Sequence, residues 1–263
     1  MAVTSTTGIL NLKLERFVKE TEIKYRPLET QKQIAKTLDT VSELLAILKQ
    51  QLAELDNLIK TTFYDMFGDP VTNEKGWEIK TIAEIAEQKL SYGSGASAIE
   101  YDGITRYIRI TDINDNGSLN DDIVSPSETS AKYNLNDGDI LFARSGATVG
   151  KTLRYRRSFG RCIYAGYLIR LVPKKALVLP DYIYYFTKTD YYKGFIESNM
   201  KTVAQPNINA QQYGTFKICV PPLNLQTQFA EIVTKTEEQK ALVQKAINET
   251  QYLFDSLMSG YFD

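Results

Sequence analysis

The sequence predicts an α+β fold in which one mixed α/β domain is combined with two long antiparallel helices that form a coiled-coil stalk. The first observation behind this prediction is an internal repeat: residues 27–67 recur at 222–262 without a gap, at a constant offset of 195 positions. The second is the strand-like alternation between the two copies. We therefore expect a leader or remnant segment at 1–26, helices at 27–67 and 221–263, and the α/β domain at 68–220.

The first copy of the repeat carries a sustained heptad pattern, because its apolar residues are separated alternately by four and three positions. Pro27 suits the first turn of a helix, and Gly68-Asp69-Pro70 ends it. About 40 residues make a helix roughly 60 Å long. The residues of this seam are Ile34, Leu38, Val41, Leu45, Leu48, Leu52, Leu55 and Ile59.

The second copy keeps the pattern with three polar positions, which lower stability but fix register and partner. We expect Leu242, Ala246, Leu253 and Leu257 to broaden its apolar stripe. Because one helix enters the α/β domain and the other leaves it, the two can pair antiparallel within the chain. The alternative is two helices that pair only between subunits. The equivalent seam residues are Phe229, Val233, Thr236, Lys240, Val243, Ile247, Thr250 and Phe254.

The segment between the helices is rich in predicted strands. A turn at Asp137-Gly138-Asp139 precedes one of them. Pro180 opens a helix whose buried face should include Ile183, Tyr185 and Phe186. The predicted strands are residues 105–110, 140–143 and those within the run 161–172.

The composition excludes several classes of enzyme. The chain has no histidine, the commonest general base and transition-metal ligand, so hydrolases of the Ser/His and Cys/His types are excluded. Cys162 and Cys219 lie in strand-like apolar runs and are expected to be buried free thiols. No run approaches the length of a membrane span, and Met1–Thr7 is too polar for a signal peptide, so we expect a cytoplasmic protein.

The net charge of −1 hides an asymmetry along the chain. Residues 98–140 contain nine Asp/Glu and three Lys/Arg, whereas residues 141–220 contain thirteen Lys/Arg and three Asp/Glu. A basic face in a chain of balanced total charge is typical of a nucleic-acid footprint. The alternative is a scattered set of solvated lysines and arginines.

Residues 145–152, Ser-Gly-Ala-Thr-Val-Gly-Lys-Thr, nearly match the phosphate-binding P-loop and so favour a nucleotide-binding enzyme as an alternative function. However, Ser145 replaces the first glycine, and the residues after Thr152 alternate like a strand rather than opening a phosphate-binding helix. Asp69 with Glu78-Ile79-Lys80 has the spacing of a metal-dependent nuclease, but this pattern is common by chance. A pure coiled-coil scaffold is a third alternative, and it leaves the basic segment unexplained.

Several loops carry the donors that protein–DNA interfaces use. Most of the cations are proposed as phosphate partners, whereas Arg144, Ser145, Gln205, Asn207 and Tyr92 are placed nearer the bases. The alternative for the segment around Asn207 is turn chemistry, because Asn and Pro favour turns. The candidate DNA-binding residues are Tyr92, Ser94, Arg106, Arg144, Ser145, Lys151, Arg154, Arg156, Arg157, Lys201, Gln205 and Asn207.

The chain resembles the DNA-specificity subunit of type I restriction–modification systems over nearly its whole length. Each matching piece is modest alone, and their order and spacing make the resemblance specific. The pieces are the Pro-Leu-x-x-Gln starts at 27–31 and 222–226, Met66-Phe67-Gly68-Asp69-Pro70 with Gly76-Trp77, residues 107–113, residues 137–141 and residues 145–151.

This resemblance implies that residues 68–220 form a target-recognition domain that reads one half of a split double-stranded DNA sequence. It implies that the helices dock methyltransferase (modification) subunits and set the distance between half-sites. It also implies that the chain is not an enzyme and binds no cofactor or metal, since S-adenosylmethionine, ATP and Mg²⁺ are used by the partner modification and restriction subunits.

The chain departs from the family pattern, because members usually carry two recognition domains and this sequence has one. Gly8–Tyr25 is similar to the tail of a missing first domain, since Ile23 lies 195 positions before Ile218. The chain therefore resembles a half-size subunit. We expect a homodimer, or pairing with a second half-specificity subunit, so that two domains read a symmetric, interrupted sequence.

Overall fold

The chain folds into two compact units. Unit 1 comprises residues 1–51 and 243–263, and unit 2 comprises residues 52–242. Both units contain parts of the two long helices and are considered separately below. The computed structural model describes residues 2–4, 10–12, 14–20, 25–200 and 207–262.

The two copies of the repeat form two helices of 40 residues each, α2 (Leu28–Phe67) and α7 (Leu223–Phe262). Their bounds differ by the repeat offset at both ends, as predicted. The Pro-Leu-x-x-Gln motif has a physical role in both copies. The Gln31 side chain donates to the carbonyl of Arg26 at 2.6 Å, and Gln226 donates to that of Pro221 at 2.7 Å. Each glutamine thus ties its helix to the residue before the first turn.

In unit 1 the two helices bury the predicted seam. Less than a tenth of each central seam side chain is exposed, and the flanking Leu38, Leu48 and Phe254 are half-buried. The Arg26 guanidinium donates to the carbonyl of Tyr261 at 2.7 Å, so the start of α2 lies beside the end of α7. Antiparallel pairing within the chain is therefore confirmed. The central seam residues of this unit are Ile34, Val41, Leu45, Val243, Ile247 and Thr250.

In unit 2 the same seam continues and its polar members are satisfied. Lys240 lies 2.6 Å from Asp56 of α2 and 2.9 Å from Glu237 of its own helix. The buried Thr236 hydroxyl donates to the carbonyl of Ile232. Polar side chains therefore occupy seam positions without leaving unpaired groups. The predicted seam residues Leu52 and Leu55 are half-buried and Ile59 is buried.

The expected broadening of the second stripe is wrong at two positions. Leu242 is 69% exposed and Leu253 is 48% exposed, whereas Ala246 and Leu257 are half-buried. A heptad seam between two helices covers a narrow face, so apolar residues beside it can remain exposed.

The strands of the α/β part of unit 2 are β3 (Glu78–Thr81), β4 (Ser91–Tyr92), β5 (Ala98–Glu100), β6 (Arg106–Ile108), β7 (Val124–Pro126), β8 (Ile140–Ala143), β9 (Thr152–Arg154), β10 (Cys162–Tyr164), β11 (Leu168–Leu171) and β12 (Lys217–Val220). Four of them form an antiparallel sheet of order β4-β11-β8-β9. The others form two smaller antiparallel pairs, β3–β12 and β5–β7, and one parallel pair, β6–β10.

The local signals of the sequence agree with these elements. Strand β8 has the predicted bounds 140–143, and Gly138 in the turn before it has a φ of 93°, which favours glycine. The run 161–172 divides into β10 and β11. Pro180 opens the first of the unit's later helices, in which Ile183 and Phe186 are buried as predicted and Tyr185 is only half-buried. The short helices are α3 (Ile82–Ile85), α4 (Pro180–Phe186), α5 (Asp190–Met200) and α6 (Ala210–Thr215).

An aromatic core joins the helices of unit 2 to its sheet. The Phe63 ring lies 5.6 Å from those of both Phe229 and Tyr182, and all three side chains are buried. The Tyr182 hydroxyl donates to the carbonyl of Cys219 at 2.7 Å. Aromatic pairs at this separation add to the stabilisation that area burial provides. The repeated helix ends are thus part of the core that positions the loops of this unit.

The expectation for the two cysteines is confirmed. Cys162 and Cys219 are both buried and free. Within residues 25–200 and 207–262 and the short described segments before them, no helix combines the length and apolar character needed to cross a membrane. Near the N-terminus the described elements are β1 (Ala2–Thr4), β2 (Leu10–Leu12) and α1 (Leu14–Glu20).

Candidate nucleic-acid interface

Four predicted base-proximal residues meet at one end of the sheet of unit 2, and we refer to Tyr92, Arg144, Ser145 and Asn207 as the Arg144 cluster. The Arg144 guanidinium carbon lies 4.8 Å from the centre of the Tyr92 ring. The Nε of Arg144 donates to Oδ1 of Asn207 at 3.2 Å. Ser145 forms an isolated antiparallel bridge with Asn207. A cation held between a ring and an amide is pre-oriented for a planar acceptor.

Sheet topology places these residues together. Strand β4 ends at Tyr92 and pairs with β11, which pairs in turn with β8. Arg144 directly follows β8, and its carbonyl accepts from the amide of Ile208 at 2.9 Å. The Tyr92 hydroxyl accepts from the amide of Ala210 at 3.0 Å. Two amides of the segment 208–210 therefore hold this segment against both Tyr92 and Arg144.

The small-residue loop at 91–97 is shaped by one close approach. A Cβ on Gly93 would lie 2.3 Å from the carbonyl oxygens of Tyr164 and Ala165, so only glycine fits there. The next residue, Ser94, is 3% exposed, and its amide donates to the Tyr164 carbonyl. Ser94 was predicted to reach DNA. We remove it from the candidate interface because the close packing of this loop turns it inward.

The near-P-loop does not form a phosphate cradle. Residues 146–148 form one 3₁₀ turn, and the next element is strand β9, which begins at Thr152, as the alternation predicted. The ammonium of Lys151 lies 2.9 Å from Asp115 and donates to the carbonyl of Ile113 at 3.3 Å. Without a following helix the loop lacks the amide array that binds phosphate in nucleotide-binding enzymes. Lys151 remains partly exposed at the edge of the same loop as Ser145.

Two of the predicted phosphate partners contact a buried carboxylate of the protein itself. The Nε of Arg154 lies 3.1 Å from Oδ1 of Asp181 at the start of α4, and only 13% of the Arg154 side chain is exposed. Burial lowers the pKa of Arg154 and raises that of Asp181, since each charge has lost solvent. Arg156 contacts the same carboxylate at 3.6 Å. Arg154 is therefore not part of the candidate interface, and Arg156 is only half-exposed.

The other predicted cations differ in exposure. Arg157 is exposed, whereas Arg106 is half-buried and donates to the carbonyl of Asn120 at 2.6 Å. Not all the positive charge of residues 141–220 lies on the surface, because the buried Arg170 lies 2.9 Å from the buried Asp139 and pairs with it. The surface of this region is thus less basic than the count of lysines and arginines implies. Lys201 and Gln205 lie outside the described residues.

The structure adds one residue that the sequence did not single out. Tyr167 is 62% exposed, and its carbonyl accepts from the amide of Arg144 at 3.1 Å. This backbone bond places Tyr167 next to Arg144 in the fold, and exposed aromatic side chains suit nucleic-acid surfaces. The adjacent Gly166 is the local sign in the sequence that a turn lies here. It does not indicate which side chain of the surrounding apolar run is exposed, so Tyr167 could not be singled out from the sequence.

The nuclease pattern does not assemble a metal site. Asp69 caps its own turn by accepting from the amide of Val71 at 2.9 Å, and Lys80 pairs with Glu78. Among the described residues there is no group of three or more acidic or cysteine side chains that could hold a metal ion.

The sequence matches the family described as the type I restriction modification DNA specificity domain over residues 1–57 and 74–251, and the chain belongs to this family. DNA sequence recognition is the role that this membership implies, and specificity subunits of the family are generally not catalytic.

A curated relative agrees with this membership. The chain is 30% identical over 192 residues to a protein of Methanocaldococcus jannaschii named as the MjaX specificity subunit of a type I restriction enzyme. This match covers 70% of the chain and 44% of that protein, so the chain spans less than half the length of its relative.

Two solved structures share the fold. The S subunit of a type I restriction–modification system from M. genitalium is 18% identical, with a TM-score of 0.62 over 100% of this chain and 68% of that one. The HsdS subunit from Thermoanaerobacter tengcongensis is 18% identical, with a TM-score of 0.51 over 99% and 64% of the two chains.

Proposed function

We propose that this chain reads one half of an interrupted DNA sequence through the Arg144 cluster and Tyr167. The observation that carries the proposal is the convergence of Arg144, Tyr92 and Asn207, because arginine and asparagine are the side chains that pair bidentately with guanine and adenine edges. The exposed Arg157 and the partly exposed Lys151 lie on the same basic segment and are proposed as phosphate contacts.

Selection from a library of random duplexes by the purified chain tests this proposal. We expect enrichment of one short sequence, with binding that weakens as salt rises. Binding without any enrichment would overturn sequence reading, and the absence of binding at low salt would overturn the DNA interface altogether. A pure coiled-coil scaffold predicts the second of these results.

We further propose that the repeated helices dock methyltransferase subunits. Exposed apolar residues occupy equivalent positions of the repeat: Ile47 and Leu242 are 62% and 69% exposed, and Leu58 and Leu253 are 47% and 48% exposed. Equivalent contacts on two helices suit two copies of one partner. The exposure of these apolar side chains supports a docking role.

Homodimerisation completes the proposed half-site reading. The described residues contain one α/β unit, and α1 (Leu14–Glu20) lies 195 positions before residues 209–215, which hold α6. This correspondence supports the interpretation of the N-terminal segment as the tail of a second recognition domain. We expect the mass of a dimer by light scattering at high concentration. Only monomer would contradict the claim and would favour pairing with a different half-specificity subunit.

In this proposal the chain itself performs no chemistry. S-adenosylmethionine, ATP and Mg²⁺ are used by the modification and restriction subunits, and this chain determines which DNA sequence those subunits act on. Nucleotide hydrolysis by the near-P-loop is disfavoured because β9 stands where the phosphate-binding helix is required. Turnover of ATP by the purified chain would reverse that conclusion.

A further inference from the structure

Unit 2 contains a cavity that the proposed DNA interface does not use. Its volume is about 520 Å³, within the range of pockets that hold small ligands. The bases of both long helices, the turn at 115–118, the segment after β9 and the end of α4 form its walls. Half-buried Tyr64, Phe159 and Tyr185 contribute aromatic surface to it.

The charges that line this cavity do not balance. Five lysines and arginines face it against three carboxylates. Each of these carboxylates is already paired with an ammonium group: Asp56 and Glu237 with Lys240 at 2.6 and 2.9 Å, and Asp115 with Lys151 at 2.9 Å. Lys151 is not a lining residue, and the Asp115 side chain is 92% exposed, so solvent screens most of its charge.

Arg154, Arg156 and Lys188 also line the cavity, and their positive charges are incompletely paired with carboxylates. Arg154 and Arg156 both depend on Asp181, and the 3.1 Å contact from Arg154 is not aligned as a hydrogen bond. Lys188 donates only weakly to the carbonyl of Asp115 at 3.4 Å and lies 4.7 Å from the centre of the Tyr184 ring. Burial lowers the pKa of Lys188 to about 8, since its positive charge is incompletely compensated.

The cavity is also built by specific contacts rather than by loose packing. The buried Tyr184 hydroxyl donates to the carbonyl of Asn116 at 2.8 Å and so fixes the turn that forms one wall. A Cβ on Gly117 would lie 1.9 Å from the Tyr184 hydroxyl oxygen, so this turn and α4 fit together only with glycine. The positions of Lys188 and Tyr184 relative to the turn are therefore set by the fold.

We propose that this cavity binds a small organic anion in which a phosphate is joined to a planar ring, of the class and size of a nucleoside monophosphate. The phosphate pairs with Arg156 and Lys188, and the ring packs against Tyr185 and Phe159. Guanidinium and ammonium groups in a partly dehydrated site favour phosphate, and partly exposed aromatic walls favour a planar ring. The ligand is additional to the cofactors that the partner subunits use.

Calorimetric titration of the full chain with adenosine 5′-monophosphate tests the proposal. We expect saturable binding with one site, and at least about tenfold weaker binding of adenosine and of inorganic phosphate alone. Arg156→Ala and Lys188→Met should each weaken binding about tenfold, and Lys188→Arg, which keeps the charge, should retain it. Lys193→Met is the matched control, because Lys193 pairs with Asp190 on α5 and does not line the cavity.

Two results would overturn the proposal. One is the absence of saturable heat up to about 5 mM nucleotide. The other is equal binding by wild type, Arg156→Ala and Lys188→Met, which would place the nucleotide elsewhere, for example on the DNA-reading surface. Circular dichroism melting of each variant confirms that it is folded before the titration is compared.

Discussion

Replacing Arg144 with alanine removes the charged member of the Arg144 cluster and leaves its scaffold in place. The side chain contacts the Tyr92 ring and the Asn207 amide, while the backbone bonds from Ile208 and to Tyr167 are retained. A bidentate contact from arginine to a base contributes about 1–3 kcal/mol of discrimination, so we expect a loss of about 5-fold to 150-fold in affinity for the recognised duplex.

The assay is a fluorescence anisotropy titration of the selected duplex and of a scrambled duplex across salt concentrations. A base contact predicts that Arg144→Ala weakens only the selected duplex and leaves the log–log salt slope nearly unchanged. Arg144→Lys should also lose discrimination, because an ammonium lacks the planar fork of a guanidinium. Lys193→Ala, an exposed lysine on α5, controls for a general loss of charge.

Two outcomes would refute this reasoning. Equal weakening on both duplexes, with a slope reduced by about 0.9, would make Arg144 a phosphate contact. Unchanged affinity on both would remove the Arg144 cluster from the interface.

Three further predictions follow from the helices and the core. Leu45→Ala in the buried seam should lower the free energy of unfolding by about 2–5 kcal/mol, whereas Leu44→Ala at the exposed neighbouring position should change it by less than about 0.5 kcal/mol. Chemical denaturation of both variants measures the difference, and equal destabilisation by the two would contradict the predicted seam. Burial raises the pKa of the Cys162 thiol to about 11, so a thiol reagent at pH 8 should label it only after unfolding, and rapid labelling of the native chain would contradict its burial. Ile47→Glu combined with Leu242→Glu should abolish co-purification with the methyltransferase subunit at unchanged melting temperature, and retained co-purification would exclude docking at these positions.

The helices could be predicted from sequence because their signals are local and repeated. The heptad spacing indicated the buried side, and the prolines of the two Pro-Leu-x-x-Gln motifs lie directly before the first residues of α2 and α7. Leu242 and Leu253 were misassigned because residue type does not report which face a partner helix covers. Strand β8 and helix α4 were also predictable, since a turn and a proline mark their beginnings.

The candidate site could be predicted only residue by residue. Tyr92, Arg144 and Asn207 were chosen for their chemistry, but their contacts join segments far apart in the sequence, and only the sheet order brings them together. Arg154 alternates with Arg156 as a surface strand would. Helix α4 packs on β9 and brings Asp181 beside Arg154. This tertiary contact joins residues far apart in the sequence, so no local sequence pattern predicts it.

The most direct test of the proposed function is the sequencing of methylated adenines in genomic DNA from cells that carry this gene, with and without Arg144→Ala. We predict a symmetric bipartite motif that is methylated with the intact gene and lost or relaxed at one position of each half with the variant. A methylation pattern that does not change when the gene is deleted would contradict the assignment of this chain as the DNA-reading subunit.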